Sequence, residues 1–317
     1  MRKNFEILLE KHQVRRTKKQ KQEFGNWMTE YLSEYGYDVS KHEYSKSGTN
    51  LMVGDAELAE IILTAHYDTP PDFLIPQIMG FSNWGFFIIS QMIIFLPFLF
   101  LLGLNNWVLF NDLISDWLLL PLSLLPLLYL FQLSFGIPCK NTANDNTSGV
   151  ATLISILEEM PERDRAKVCV VFFDEEEMGL IGSSNFHKKY KPFLEEKPLI
   201  NFDCVSDGET FVFISKKKFR NSKYYEPLKM ATDKAIKGSE KQKKFMNALQ
   251  APFMSDQVIF PQGVGVVSAK KVHILGYYIN RIHSKWDTKF DEENIKLLTN
   301  TILQFVQYCE GEKRSDI

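Results

Sequence analysis

Residues 71–139 contain neither lysine nor arginine, and their only charges are Asp72, Asp112 and Asp116. Every basic residue of the 317-residue chain therefore lies outside that stretch, which implies that two kinds of solvent surround the protein. A surplus of either charge is also missing: 37 Lys plus Arg against 39 Asp plus Glu leave a net charge of -2. That balance gives no support to a nucleic-acid partner. Cysteine is scarce, and Cys139, Cys169, Cys204 and Cys309 show no CxxC pairing. They read as reduced thiols buried as small hydrophobes, as expected on the cytosolic side of a membrane. Residues 1–21 are polar and basic without an apolar core, so no signal peptide is expected at the start. Internal repeats and low-complexity tracts are absent as well.

What fills the base-free stretch is apolar. Residues 84–104 read WGFFIISQMIIFLPFLFLLGL and residues 117–137 read WLLLPLSLLPLLYLFQLSFGI, neither with a charge. As a helix rising about 1.5 Å per residue, either run spans a hydrocarbon core of ~30 Å. Trp84, Trp107 and Trp117 lie at or near the ends of the runs, where amphipathic rings favour the interface. Pro97, Pro121 and Pro126 are tolerated in membrane spans. The expectation is a two-helix transmembrane hairpin over 77–137. Both of its ends emerge on the side that holds all the lysines and arginines. The positive-inside bias then places the polar bulk in the cytosol, at the cell membrane.

The polar remainder, 1–76 and 138–317, reads as one discontinuous domain. A basic amphipathic helix over 13–34 ends at Gly36, and strand-like runs follow at 37–44, 50–53 and 61–65. Beyond the hairpin, helical patterns (147–159, 180–190, 292–309) alternate with strand patterns at 168–173, 199–204, 211–214, 264–267 and 274–279. Between 214 and 264 lies a Lys-rich helical region. Alternating βα units with apolar strands predict an α/β fold: a mixed, largely parallel sheet covered by helices on both faces. The basic run RRTKKQK at 15–21 could hold the domain against anionic lipid. A solvated helix face is the commoner explanation and is preferred.

Five strand ends carry metal-type ligands. TAHYDTP gives His66 and Asp68, and alone would more often be a structural histidine. TANDNTSGVA gives Asp145, which alone could be a helix N-cap. VVFFDEEEMGLIGS ends a buried strand in four consecutive acids, whose repulsion costs stability unless cations offset it. LINFDCVSDG gives Asp203, and NRIHSKWDT gives His283. The remaining histidines read blandly: His12 and His42 in polar surface segments, His187 beside Lys188 and Lys189, His273 near a strand start.

In order and local wording these five motifs resemble the zinc aminopeptidase family that includes aminopeptidase Y, whose relatives include glutaminyl cyclases and the transferrin receptor ectodomain. MSDQVIF matches a further family segment. The resemblance covers nearly all of the polar chain and skips the hairpin. It implies a zinc-exopeptidase-like fold and two Zn²⁺ per chain bridged by Asp145, with His66 and Asp203 on one ion and Glu177 and His283 on the other. Asp68 is implied to orient His66. Counting back from Met178 and Gly179, Glu176 is implied as the general base and Glu175 as a neighbour without a direct role. Peptides would be the substrate, with other amide chemistry or an inactive binding module as alternatives. Oligomeric state is not legible. The chain departs from the family at Ile282, where many relatives carry a tyrosine that helps stabilise the oxyanion. Tyr277, Tyr278 and Trp286 are nearby replacements among which the sequence does not choose.

Overall fold

The computed structural model describes residues 3–111 and 115–315; Asp112, in the connector of the expected hairpin, lies outside them. In chain order the elements are α1 (Lys3–Lys11), α2 (Lys18–Ser33), β1 (Val39–Glu43), β2 (Thr49–Val53), β3 (Ile61–His66), β4 (Gln77–Gly80), α3 (Trp84–Phe110), α4 (Asp116–Phe135), α5 (Ser148–Glu159) and β5 (Val168–Phe173). Then come α6 (Ile181–Leu194), β6 (Leu199–Phe202), β7 (Thr210–Ser215), the single turn α7 (Lys217–Arg220), α8 (Tyr225–Ile236), β8 (Gln242–Asn247), β9 (Gly263–Val272), β10 (Gly276–Ile282) and α9 (Glu292–Ser315).

One mixed sheet organises these elements in the order β1-β2-β5-β3-β6-β9-β10-β4, with β7 and β8 branching from β9. Its centre, β5-β3-β6-β9, is parallel. The reason is in the residues: every position of β3, β5 and β6 is buried, the near-continuous apolar pattern of strands covered on both faces. Alternate residues serve opposite layers. Ile61, Leu63 and Ala65 pack into the same core as Phe24, Met28 and Leu32 of α2, Ile154 of α5 and Ile302 of α9. Ile62, Val171 and Leu199 face the other way, against Phe186, Tyr190 and Leu194 of α6. The expected α/β architecture, a sheet with helices on both faces, is the one observed.

Because β3 is followed by a chain that returns as β5 on one flank, and then as β6 on the other, the strand order reverses at β3. In open α/β sheets the crevice beyond the carboxyl ends at such a point is where ligands bind.

The basic helix starts later than its pattern suggested, at Lys18, because Thr17 and Gln20 form a reciprocal capping box. The solvated-face reading of 15–21 fails at two positions. Arg15 is completely buried, and Lys21 pairs with the buried Asp174 at 2.5 Å. The surface reading of His42 also fails: it is buried, against Phe186 and Tyr190. His12 is half-buried and stacks on Trp27.

Helix α3 is 27 residues long and apolar enough to cross a membrane. Its side chains and those of α4 are largely exposed, among them Ile89, Leu96, Phe100, Leu127 and Phe131. The two helices pack on each other, Tyr129 donating to the Ile94 carbonyl at 2.8 Å. Where they leave the domain the chain is pinned: the Asp72 amide donates to the Ile137 carbonyl and the Cys139 amide to the Pro70 carbonyl, both at 2.9 Å. Strand β4, at the front of the 77–137 segment, joins the main sheet through β10.

Candidate metal centre

The strand ends deliver their side chains to one place. His66, Asp145, Glu176, Glu177, Asp203 and His283 line a cavity of about 220 Å³. His66 closes β3, the two glutamates follow β5, Asp203 follows β6 and His283 follows β10. Asp145 comes from the irregular turn Ala143–Thr147 that leads into α5.

Distances order the group around Asp145. Its Oδ1 lies 3.3 Å from His66 Nε2, and its Oδ2 lies 3.0 Å from His283 Nε2. Asp203 Oδ1 stands 3.7 Å from His66 Nε2, and Glu177 Oε2 stands 3.5 Å from His283 Nε2. Three overlapping sets, His66/Asp145/Asp203, Asp145/Glu177/His283 and His66/Glu176/Glu177, each bring ligand atoms within 4.8 Å of one another. Asp68 is buried on the far side of the His66 ring, 3.4 Å from Nδ1, and does not line the cavity. It accepts the backbone amides of Glu176 and Glu177 at 3.1 and 3.2 Å, which ties the acidic loop to the end of β3.

Two asparagines that the motif reading passed over build the turn. Asn146 Oδ1 accepts the amides of Gly149 and Cys204, and its Nδ2 donates to the Phe202 carbonyl. Asn144 Oδ1 accepts the amides of Ser206 and Asp207. Asp287, 3 % exposed, accepts the amides of Asn144 and Asp145 at 2.8 and 2.9 Å. The DT pair after His283 was its only sequence signal. Glu175, Cys204 and His283 hold positive φ angles of 57°, 56° and 52°. Side chains other than glycine pay of order 1–3 kcal/mol each for such backbone, and these three flank or belong to the site.

Burial and crowding shift the titrating groups of the cavity. Burial drives Glu176 and Glu177 well above the ordinary carboxylate range; Glu177, Asp256 and Asp203 add to it for Glu176, and Asp145 for Glu177. Asp256, fully buried, is pushed up to about 7 by burial, with Asp68 and Asp203 adding against the pull of His66. Burial opposes charge on His66 too, yet Glu176 and the neighbouring carboxylates of Asp145, Asp203 and Asp68 raise it well above its usual value. Asp145 moves the opposite way, held low by His283 and His66 against its burial. Asp203 Oδ1 has no hydrogen-bond partner. Imidazole nitrogens and carboxylate oxygens, crowded and uncompensated, are the donor set of a zinc-type cation.

A sequence profile settles the family. Residues 133–306, more than half of the chain, match peptidase family M28. The chain belongs to that family. M28 members are zinc-dependent, which agrees with the donor set here. No curated protein sequence matches the chain. Among solved structures, a glutaminyl cyclase from Macrostomum lignano is similar at 11 % identity and TM-score 0.58, over 98 % of this chain and 90 % of that one. A Zn-dependent exopeptidase from Parabacteroides distasonis is similar at 14 % identity and TM-score 0.54, over 90 % and 89 %. The LapA aminopeptidase of Legionella pneumophila is similar at 12 % identity and TM-score 0.54, over 96 % and 67 %. At such identities the likeness is one of fold. Within this M28 chain Ile282 lines the cavity, whereas Tyr277, Tyr278 and Trp286 are not among the lining residues.

Proposed function

We propose that this M28 chain is a membrane-anchored aminopeptidase that hydrolyses N-terminal peptide bonds with two zinc ions. The observation that carries the reading is Asp145 lying between two imidazoles, its two oxygens facing His66 and His283. In this reading Asp145 would be shared by both ions, with His66 and Asp203 holding one and Glu177 and His283 the other. A carboxylate is suited to that bridging role because each oxygen can serve a different cation. Zinc held by these residues would supply a water of lowered pKa and polarise the scissile carbonyl.

The rest is the work of the chain's own side chains. Glu176 lines the cavity with a carboxyl raised above its usual range, which suits it to take a proton from the attacking water and pass it to the departing amine. Asp68 fixes the ring orientation of His66 and, through the amides of Glu176 and Glu177, the position of both glutamates.

Anchoring is supported by the length and apolar surface of α3, with α4 packed beside it. The confinement of every lysine and arginine to the domain side of this hairpin supports a cytosolic active site at the cell membrane. Glutaminyl cyclisation is the second reading, favoured by the likeness of fold to glutaminyl cyclases.

Metal analysis and peptide hydrolysis of the purified wild type and Glu176→Gln test the proposal together. About two zinc per chain are expected in both proteins, with activity lower by ~10²-fold or more in the variant. Full activity in the variant, or a wild type that turns N-terminal glutaminyl peptides only into cyclised product, would overturn it. Release of the protein from membranes by an alkaline carbonate wash would overturn the anchor.

A further inference from the structure

Helix α3 does more than leave the domain; with the strand before it, it supplies part of the cavity wall. Gln77 of β4 and Phe87 and Gln91 from the first turns of α3 line the same cavity as the metal-type residues. Gln77 pairs across the sheet with Ile282, the neighbour of His283, so it stands one residue from the centre. This corner is built firmly. Asn83 caps α3 through the Phe86 amide at 2.8 Å, the Gly80 amide donates to Ser90 Oγ at 3.0 Å, and Trp84 Nε1 donates to the Leu249 carbonyl at 2.9 Å.

Gln77 Nε2 donates to Gln91 Oε1 at 3.3 Å. That bond leaves Gln77 Oε1 and Gln91 Nε2, both buried and both without a partner. Gln77 itself is only 7 % exposed. Turning both carboxamides over yields the same result, one free acceptor and one free donor. A carboxylate offers only acceptors and an ammonium only donors, so neither satisfies both atoms. An amide group carries one of each at a fixed separation.

We propose that Gln77 and Gln91 form an amide-recognising subsite beside the metal centre, which makes the apolar insertion part of the substrate cleft. The amide is either the backbone peptide bond next to the scissile one or a side-chain carboxamide of the substrate. The inference rests on the peptidase reading above and names the substrate group that reading leaves open. Buried polar atoms left unmatched discriminate strongly against substrates that lack the matching group.

The test uses the full chain in detergent with leucine p-nitroanilide, Leu-Gly-Gly and glutamine p-nitroanilide, on wild type, Gln77→Leu, Gln91→Leu and the double variant. Zinc content is measured alongside. The reading is the ratio of kcat/KM for each amide-bearing substrate over leucine anilide, which does not depend on the fraction of folded enzyme. In the wild type Leu-Gly-Gly or glutamine anilide is favoured, and in each variant that ratio falls by about tenfold or more, mainly through KM. The double variant falls no further than the single ones, because the two side chains act as one unit. The substrate whose advantage disappears identifies the amide, backbone or side chain. Unchanged ratios in active variants overturn the subsite and leave the peptidase standing. A wild type loaded with zinc that cleaves none of the three overturns the peptidase reading, and the subsite with it.

Discussion

Replacing Asp287 by alanine separates the support of the metal centre from the centre itself. The carboxylate accepts the amides of Asn144 and Asp145 at 2.8 and 2.9 Å, and only 3 % of the residue is exposed. Alanine would leave two buried N–H groups unpaired, at roughly 1–3 kcal/mol each. Part of that loss is returned, because burial and then the nearby Asp145 make ionised Asp287 costly and raise its pKa well above the usual range. The net expectation is destabilisation of about 2–3 kcal/mol, a shift in unfolding temperature on the order of 5 °C. Asp145 sits on the amide that is released, so zinc affinity should also fall, by about 10–100-fold as for other residues that orient ligands. Thermal unfolding and zinc titration of the purified variant read the two effects. Asp233→Ala, in an exposed ion pair with Lys243, is the control and should stay within about 0.5 kcal/mol of wild type. An Asp287→Ala protein that unfolds like wild type and binds zinc as tightly would show that this carboxylate does not hold the turn.

Acidity should stabilise the zinc-free protein. Asp256 is pushed up to about 7 from 3.8, so between these values the folded state keeps a proton that the unfolded chain has lost. Stability then falls as pH rises, by about 2 kcal/mol from pH 5 to pH 7 for this group, and unfolding of chelated Asp256→Asn should lack that part of the slope. Thr17→Ala removes the cap of α2 and should cost about 1 kcal/mol in thermal unfolding, with zinc affinity unchanged. Gly149→Ala should cost about 1–3 kcal/mol and weaken zinc binding, since a Cβ there would meet the Phe202 carbonyl at 2.4 Å and Asn146 Oδ1 at 2.5 Å. A Gly149→Ala protein with wild-type unfolding and wild-type zinc affinity would contradict that close contact.

Much of the fold is legible in the sequence, for a physical reason. Strands buried on both faces must be apolar throughout, so β3, β5 and β6 announced themselves, and the polar residues directly after them had to lie at the sheet's edge. What escaped obeys other rules. Strand β8, QKKFMN, read as part of a helical Lys-rich region because it is a half-exposed edge strand where lysines are tolerated. Strand β4 is too short to show a period and stands against an apolar run that hid it. Arg15 gave no hint of burial, since its guanidinium is satisfied by carbonyls of Tyr67 and His12 that come from its own flank and from β3's far end. The pairing of Gln77 with Gln91 joins a strand to a membrane-type helix, and nothing in the local sequence of either reveals it.

The buried cations bear on how the proposed zinc would couple to the fold. Asp68, Asp145, Asp174, Asp203, Asp256 and Asp287 are all buried, with Glu176 and Glu177 beside them. Against them the protein sets Arg15, whose guanidinium burial pushes down to about 10 while Asp68 and Asp145 pull it up, and Lys21 on Asp174. Both belong to the segment between α1 and the first turns of α2 rather than to the residues that line the cavity. They offset Asp68 and Asp174; on the cavity side burial makes Glu176 and Glu177 resist ionisation instead, while the surrounding carboxylates favour the charged form of His66. Ionising these buried acids costs several kcal/mol unless cations join them. A ligand that binds only the folded state returns RT ln(1 + [L]/Kd), about 4 kcal/mol at a thousandfold excess over Kd. On the proposed reading, the acids that would hold zinc are ones that ionise more readily once it binds, so zinc would add to the stability of the folded chain.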